Sequence, residues 1–242
     1  TKGTMPQPRG AWVVRERLLA RLDAEPWARL TLLVAPAGFG KSTLVTQWLA
    51  PQLVLTAPRG GAASRYDQPV RAVAWLTLDE HDQDPLRLLA YLAGAIDRAL
   101  PDGVPTTMGL LTSSETLPPY VLLQALLVDL SGLQEGLTVV LDDYHLVGAE
   151  TVHQVVAYML RHLPAHCRLV ILTRSEPPLP LTRLRAERQL LELRAADLRF
   201  TPPEAEVLLA RLLGQRHDPL LAADLHQQTE GWAIALQLAA LA

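Results

Sequence analysis

An eight-residue segment early in the chain, Ala35-Pro-Ala-Gly-Phe-Gly-Lys-Ser42, fits the phosphate-binding P-loop pattern, with alanine in place of the first glycine. Glycine at positions 38 and 40 lets the backbone turn its N–H groups inward onto phosphate oxygens. Lys41 can reach the β- and γ-phosphates of a nucleotide, and Ser42 is placed to ligate magnesium. The predicted cofactor contacts in this segment are Ala35, Pro36, Ala37, Gly38, Phe39, Gly40, Lys41, Ser42 and Thr43.

The alternative interpretation of this segment is a glycine-containing turn that binds no ligand. The residues on either side favour the P-loop. The apolar run 30–34 before the segment is typical of a buried strand, and a helical pattern begins at Lys41. The positive end of that helix would face the same phosphates.

Two adjacent carboxylates, Asp142 and Asp143, end the apolar segment 138–141. The carboxyl ends of parallel strands face the crevice in which such sheets bind ligands. We therefore predict that Asp142 holds the magnesium ion and that Asp143 orients the attacking water. Two acids at a strand end can also be a solvated turn, and only the P-loop earlier in the chain favours the functional interpretation.

A third polar strand end is predicted at Thr173 and Arg174. An arginine there can sense or stabilise the charge of a γ-phosphate, which makes Arg174 a catalytic candidate. The alternative is a surface ion pair between Arg174 and Glu176. His145 has no paired histidine or cysteine at metal-ligand spacing, so we predict a supporting or structural role for it and no zinc site.

The elements that position these residues follow from the hydrophobic pattern. Unbroken apolar runs predict strands at 30–34, 72–78, 137–141, 169–172 and 190–193. Helical spacing predicts helices at 13–22, 41–50, 85–100, 119–133, 151–163, 202–213, 219–228 and 231–242, with a surface loop at 51–69. Alternating strands and helices indicate an α/β doubly wound parallel sheet, followed by consecutive helices that form a helical subdomain. Trp75 and Trp232 lie in apolar patterns, so core packing is expected for both.

The composition of the 242 residues sets the broad class. Apolar residues make up 49% and charged residues 19%, so a substantial core is expected. A formal net charge of −3 gives no basic footprint for nucleic acid or anionic lipid. The one cysteine, Cys167, is expected to be buried, and no run is long enough to span a bilayer. We expect a cytoplasmic protein without membrane contact. The amphipathic helix at the end stops without a cap or a proline, which suggests a piece of a longer chain.

The motifs together resemble the MalT-like, LuxR-type ATP-dependent transcriptional activators, which are STAND-class signal-transduction P-loop ATPases. The matching segments are Val13-Val-Arg-Glu-Arg-Leu-Leu-Ala-Arg-Leu22, the P-loop, Trp75-Leu-Thr-Leu-Asp-Glu80, Val140-Leu-Asp-Asp-Tyr-His-Leu146, Gln189-Leu-Leu-Glu-Leu193 and Gly231-Trp-Ala-Ile-Ala-Leu-Gln-Leu238. The resemblance implies a P-loop NTPase sheet with strand order 5-1-4-3-2. It also implies an ATP/ADP switch with magnesium, in which an ADP-bound monomer gives way to an ATP-bound, self-associating form.

The resemblance also implies a division of the chain. Residues 1–26 would close over the adenine, with contacts from Val14 and Arg15. Residues 27–194 would form the nucleotide-binding domain, and residues 195–242 would form the helical lid. Inducer sensing and DNA binding would lie in parts not present here, with DNA bound only through a C-terminal domain. In the lid, Ala233 replaces the proline of the Gly-x-Pro motif of related ATPases, so no direct nucleotide contact is expected there.

The function expected from the sequence is therefore a nucleotide switch with slow, magnesium-dependent ATP hydrolysis. Three alternatives stay open. The chain can be the module of another STAND-type signalling protein, or a turnover ATPase or kinase, although no acceptor pocket is evident. A degenerate P-loop scaffold is the third, and it predicts lost phosphate ligands, whereas Lys41, Ser42 and Asp142 are all present.

Overall fold

A computed structural model describes residues 2–7, 12–54, 71–113, 117–214 and 218–241. At its centre lies a sheet of five parallel strands. Their bounds are β1 Leu30–Val34, β2 Arg71–Thr77, β3 Gly136–Asp142, β4 Cys167–Thr173 and β5 Leu190–Arg194. The order across the sheet is β2-β3-β4-β1-β5, which confirms the predicted order.

The sheet forms because its central strands are apolar on both faces. Every residue of β4 is buried, as are the first four residues of β1. One core cluster packs against one face, mainly from the helices that follow β2 and β3. A second cluster packs the other face against the helices that flank β1. Cys167, at the start of β4, is buried, as expected.

Within the described ranges, seven helices accompany the strands and four more follow β5. The first group is α1 Glu16–Asp23, α2 Lys41–Val54, α3 Pro85–Ala99, α4 Pro105–Thr112, α5 Pro119–Gly132, α6 Glu150–His162 and α7 Leu181–Ala186. The second group is α8 Ala195–Leu198, α9 Pro202–Leu213, α10 Pro219–Thr229 and α11 Ala233–Leu241. A short 3-10 turn, Tyr144–Leu146, follows β3. No described helix is both long and apolar enough to cross a membrane.

Three helix predictions need correction. The predicted loop 51–69 begins too early, because α2 continues to Val54, and residues 55–70 lie outside the described ranges. Helices α4, α7 and α8 were not predicted. In α4, Gly109 breaks the apolar pattern and the buried position Thr107 is polar, and α7 and α8 have only 6 and 4 residues. The first helix begins at Glu16 and not at residue 13, because Arg15 has non-helical angles of φ −103° and ψ 70°.

The helices after β5 share a small core of their own. Thr201 and Glu204 form a capping box at the start of α9, and Asp218 caps α10. The apolar residues of this core are Phe200, Ala205, Leu208, Leu209, Ala222, Ala233 and Leu236, and Val13 from the N-terminal segment completes it. The N-terminal segment is therefore packed against these helices as well as against the sheet.

Candidate nucleotide-binding site

The predicted P-loop connects the carboxyl end of β1 to the first turn of α2. Gly38 has φ +78° and Gly40 has φ +74°, in the region of backbone angles that favours glycine. The Ala35 N–H donates to the carbonyl of Thr173 at 3.2 Å, which ties the start of the loop to the end of β4. The loop therefore has the strand–turn–helix setting that a phosphate-binding nest requires.

Lys41 lies buried inside this loop. Its Nζ donates to the carbonyl oxygens of Ala35 at 2.7 Å and Pro36 at 2.9 Å. Burial lowers the pKa of the lysine, and the nearby carboxylates of Asp142 and Asp143 act in the opposite direction. The ammonium group is thus held at the loop by carbonyl oxygens that a phosphate can replace with stronger, charge-assisted bonds.

Asp142 stands beside the P-loop at the end of β3. Its side chain is buried and accepts a hydrogen bond from the side chain of Ser42, as well as one from the N–H of Asp143 at 2.9 Å. Burial raises the pKa of Asp142 to about 6, which the Ser42 hydrogen bond opposes. Ser42 and Asp142, the two residues predicted to hold magnesium, therefore lie next to each other.

A magnesium ion fits this pair chemically. Magnesium prefers hard oxygen ligands, commonly one or two from the protein and the rest from phosphates and water. The hydroxyl of Ser42 and the carboxylate of Asp142 supply two such oxygens. Within the described ranges no group of three or more histidine, cysteine, aspartate or glutamate side chains forms a metal site.

Asp143 occupies a special backbone conformation next to this pair. Its φ of 56° and ψ of 35° place it in the left-handed region, which is uncommon for residues other than glycine. Its side chain is 42% exposed, in contrast to the buried Asp142. The turn thus directs the two neighbouring carboxylates into different environments, which is what different chemical roles require.

His145, for which a supporting or structural role was predicted, lies beside Asp143. Its Nδ1 is 3.9 Å from Oδ1 of Asp143, and neither ring nitrogen has a hydrogen-bond partner among the described residues. Burial lowers the pKa of His145, and the charge of Arg174 lowers it further. The ring therefore lies beside the carboxylate of Asp143, where burial and the charge of Arg174 disfavour its protonated form. Its position two residues after Asp143 was the only sequence signal.

Arg174 follows the last residue of β4 and acts electrostatically on both Lys41 and His145. The alternative ion pair with Glu176 does not form. Instead, Oε2 of Glu176 accepts from Nη2 of Arg194 at 2.6 Å, and Oε1 of Glu176 lies 3.6 Å from Nη2 of Arg185. Arg174 is consequently placed among the residues of the candidate site and not in a surface pair with Glu176.

Of the two predicted adenine contacts, Val14 is half exposed, whereas Arg15 is buried. The guanidinium of Arg15 donates to the carbonyls of Leu198 at 2.8 Å and Arg199 at 2.9 Å, and stacks over the Phe200 ring at 4.5 Å. Burial lowers the pKa of Arg15 to about 10. Arg15 therefore ties the N-terminal segment to the helices after β5.

A cavity of about 420 Å³ lies between the N-terminal segment, the start of α2 and the last helices. Its walls are Trp12, Val13, Arg15, Gly40, Thr43, Leu44, Gln47, Phe200, Leu208, Leu212, Ala233, Gln237 and Leu241. Since Gly40 and Thr43 belong to the P-loop region, the cavity continues from the place where phosphates would bind. Ala233, from which no contact was expected, lines it.

Trp232 is not a core residue, contrary to the prediction, whereas Trp75 is fully buried. Trp232 is 40% exposed, and its indole Nε1 donates to the carbonyl of Ala37 in the P-loop at 3.1 Å. The pattern around Trp232 was apolar because α11 packs on other helices. The contact with the loop is made through a backbone carbonyl, which leaves no signal in a sequence.

Comparison with known proteins supports the resemblance to MalT-like regulators. The chain is 37% identical over 236 residues to the HTH-type transcriptional regulator MalT of Cronobacter sakazakii, and 35% identical over 229 residues to MalT of Serratia proteamaculans. Each match covers 95% of this chain and 23% of the relative. The recognition of a MalT-like sequence is therefore confirmed, and the chain spans about a quarter of the length of these relatives. No family model matches.

Solved structures confirm the P-loop ATPase fold. A STAND protein with a tetratricopeptide repeat sensor, PH0952 from Pyrococcus horikoshii, superposes with a TM-score of 0.61 at 15% identity, over 96% of this chain and 30% of that one. The Aeropyrum pernix ORC1 protein, solved in complex with DNA, gives a TM-score of 0.56 at 20% identity, over 95% of this chain and 59% of that one. At these identities the similarity concerns the fold.

Proposed function

We propose that this chain is the nucleotide-binding switch module of a MalT-like transcriptional activator, and that it binds ADP or ATP with magnesium. The observation that carries the proposal is the meeting of Lys41, Ser42, Asp142 and Asp143 at the carboxyl ends of β1 and β3. These groups are a cation, a hydroxyl and two carboxylates, which is the set that nucleotide phosphates and magnesium require. The cavity beside Gly40 and Thr43 offers room for the nucleoside.

The phosphate chain would lie along the loop 35–42. Backbone N–H groups of the loop and the dipole of α2 favour its negative charge. Lys41 would leave the carbonyls of Ala35 and Pro36 and donate to the phosphates instead. Magnesium, when bound, neutralises phosphate charge, and Ser42 and Asp142 would hold it.

Hydrolysis requires a water oriented towards the γ-phosphate. The half-exposed carboxylate of Asp143 is the group that would accept its proton and orient it. The largely buried ring of His145, 11% exposed, would limit the positions open to Asp143, and Arg174 would stabilise the developing charge. Arg174 and Asp143 are thus the proposed catalytic pair.

The nucleoside would occupy the cavity enclosed by three parts of the chain. Residues 1–26 would cover the adenine through the stretch that contains Val14 and Arg15. Residues 27–194 would supply the phosphate site, and residues 195–242 would act as a lid. Because Arg15 joins the first part to the third, a change in the lid would reach the adenine site directly.

A switch is favoured over a turnover enzyme because the described site supplies groups for phosphate and metal, and because the chain is similar to the transcriptional regulator MalT. We propose that ADP favours a closed monomer, that ATP favours self-association, and that slow hydrolysis resets the switch. The protein would act in the cytoplasm and would contact DNA only through another part of the regulator. The net charge of −3 agrees with this division.

Hydrogen exchange measured in the presence of ADP and of ATP tests the switch. The Asp143→Ala variant is used so that ATP persists during labelling. We expect different protection of α9–α11 in the two states. The control for the loss of one aspartate is Asp224→Ala, at an exposed position on α10. Identical protection in both nucleotides would contradict switching, whereas rapid phosphate release by the wild-type protein would favour the turnover ATPase.

A further inference from the structure

The start of α11 holds the outermost part of the P-loop. Two backbone carbonyls of the loop accept hydrogen bonds from it. The indole Nε1 of Trp232 donates to the Ala37 carbonyl at 3.1 Å, and the N–H of Ile234 donates to the Gly38 carbonyl at 3.2 Å. The ring of Trp232 also stacks on Phe39, with 6.2 Å between centroids and 28° between planes.

These two hydrogen bonds fix the direction of the N–H groups in the same peptides. In a planar trans peptide the C=O and the following N–H point in opposite directions. When the Ala37 and Gly38 carbonyls point towards α11, the N–H groups of Gly38 and Phe39 must point away from it. Consecutive N–H groups directed to one side form a nest for an anion.

The lack of a side chain at Gly38 leaves room for this contact between α11 and the loop. Its φ of +78° disfavours any side chain, and a Cβ at this position would overlap Cγ2 of Ile234 and lie 3.1 Å from Nε1 of Trp232. The absence of a side chain therefore serves two purposes. It permits the turn of the loop, and it lets α11 approach the backbone closely enough to bind its carbonyls.

We propose that Trp232 is a positioning residue for phosphate binding, which orients the loop 37–39 through the Ala37 carbonyl. The inference rests on the proposed function, since it concerns the same nucleotide site. The lid then does more than cover the nucleotide, because its contact prepares the loop for the β-phosphate. Binding of a β-phosphate and closure of α11 consequently favour each other.

The chemistry of the ligand distinguishes this role from general stabilisation of the fold. In P-loops the backbone N–H groups of the loop cradle the α- and β-phosphates together, so a nucleotide with both phosphates engages the loop more fully than one with the α-phosphate alone. ADP carries a β-phosphate and AMP does not. Loss of the Trp232 hydrogen bond should therefore weaken ADP more than AMP, and the ratio of the two affinities reports on loop geometry.

The test is titration calorimetry of ADP and AMP, with magnesium, on three proteins. Trp232→Phe removes the indole N–H but keeps an aromatic ring against Phe39. Because Trp232 is 40% exposed, the fold should tolerate this substitution. Trp27→Phe is the matched control, because Trp27 is 65% exposed and precedes β1, at the end of that strand opposite to the P-loop. The thermal midpoint of each protein is measured alongside.

We expect the AMP-to-ADP ratio of dissociation constants to fall about 3- to 10-fold in Trp232→Phe, which corresponds to one hydrogen bond, and to stay unchanged in Trp27→Phe. An unchanged ratio in Trp232→Phe would overturn the positioning role, whether both affinities stay the same or both fall equally. Failure of the wild-type protein to bind ADP at all would instead refute the proposed function on which the inference rests.

Discussion

The side chain of Ser42 donates a hydrogen bond to the carboxylate of Asp142, and so joins the first turn of α2 to the end of β3. The carboxylate is buried, and burial raises its pKa to about 6. An ionised carboxylate in such a place is costly unless cations offset its burial, and the charge of Lys41 offsets it only in part. The pair is therefore a site that gains from a metal ion, and its protonation state is the first property to test.

Magnesium-dependent nucleotide affinity should depend on the protonation of Asp142. Below pH 6 the carboxyl is increasingly protonated and loses its charge for the metal. We expect the gain in ADP affinity from magnesium to fall by about tenfold per pH unit below 6 and to level off above 7. Calorimetry at pH 5.0–8.0, with and without magnesium, measures it. Asp142→Asn corrects for titration of the nucleotide, and the same pH dependence in that variant would contradict the assignment.

The same carboxylate should reduce the stability of the nucleotide-free protein. The pKa of Asp142 is raised on folding, so its contribution to the free energy of unfolding falls as the pH rises from about 4 to 6, and the cost is complete above 6. Asp142→Asn removes the charge. We expect this variant to be about 1–3 kcal/mol more stable at pH 7.5 and to match the wild type at pH 4. Urea unfolding measures the difference, and lower stability of the variant at pH 7.5 would show that the charge is already compensated.

Asp143 should be needed for hydrolysis and not for binding. Its half-exposed carboxylate is free to orient water, whereas Asp142 is committed to Ser42 and the metal. We expect Asp143→Ala to bind ATP within about threefold of the wild type and to lose about 100-fold or more in the rate of phosphate release. Asp142→Ala should instead weaken magnesium-dependent binding. Wild-type hydrolysis by Asp143→Ala would reverse this division of roles.

The rate of hydrolysis by the chain itself should be low, well below the roughly 1–100 s⁻¹ of kinases. Asp143 is a short carboxylate, and Arg174 is the only arginine among the described residues that acts on both Lys41 and His145. A second copy of the chain can supply a further positive charge. Phosphate release under excess ATP should therefore rise per molecule with protein concentration. Fast release that is independent of concentration would favour the turnover ATPase over the switch.

Much of this fold could be predicted from the sequence, because parallel strands covered on both faces are unbroken apolar runs. The strand ends with Asp142 and Arg174 followed from those runs, and the resemblance supplied the strand order. The sequence could not show what Arg15 and Trp232 do. Both donate to backbone carbonyls far along the chain, and a carbonyl has no residue type by which a pattern could identify it.

His145 shows the same limit in a different way. Its predicted supporting role rested on the lack of a metal-ligand pattern. The burial of both its ring nitrogens and its place beside Asp143 depend on how the 3-10 turn after β3 lies against β4. Tyr144 anchors that turn, with its hydroxyl 2.9 Å from Nδ1 of His153 in the buried interior. Contacts between distant elements thus decide which residues reach the site.

The central claim is that Lys41 binds nucleotide phosphates, and calorimetric titration of ADP with magnesium tests it most directly. Lys41 is buried and, within the part of the chain that the structure describes, donates to loop carbonyls and forms no ion pair, so Lys41→Ala removes the cation without breaking one. Arg183→Ala is the control for loss of one positive charge, in an exposed pair with Glu187. We expect Lys41→Ala to weaken ADP binding by about 100-fold or more and Arg183→Ala to leave it unchanged. Equal affinity of Lys41→Ala and the wild type would contradict the account.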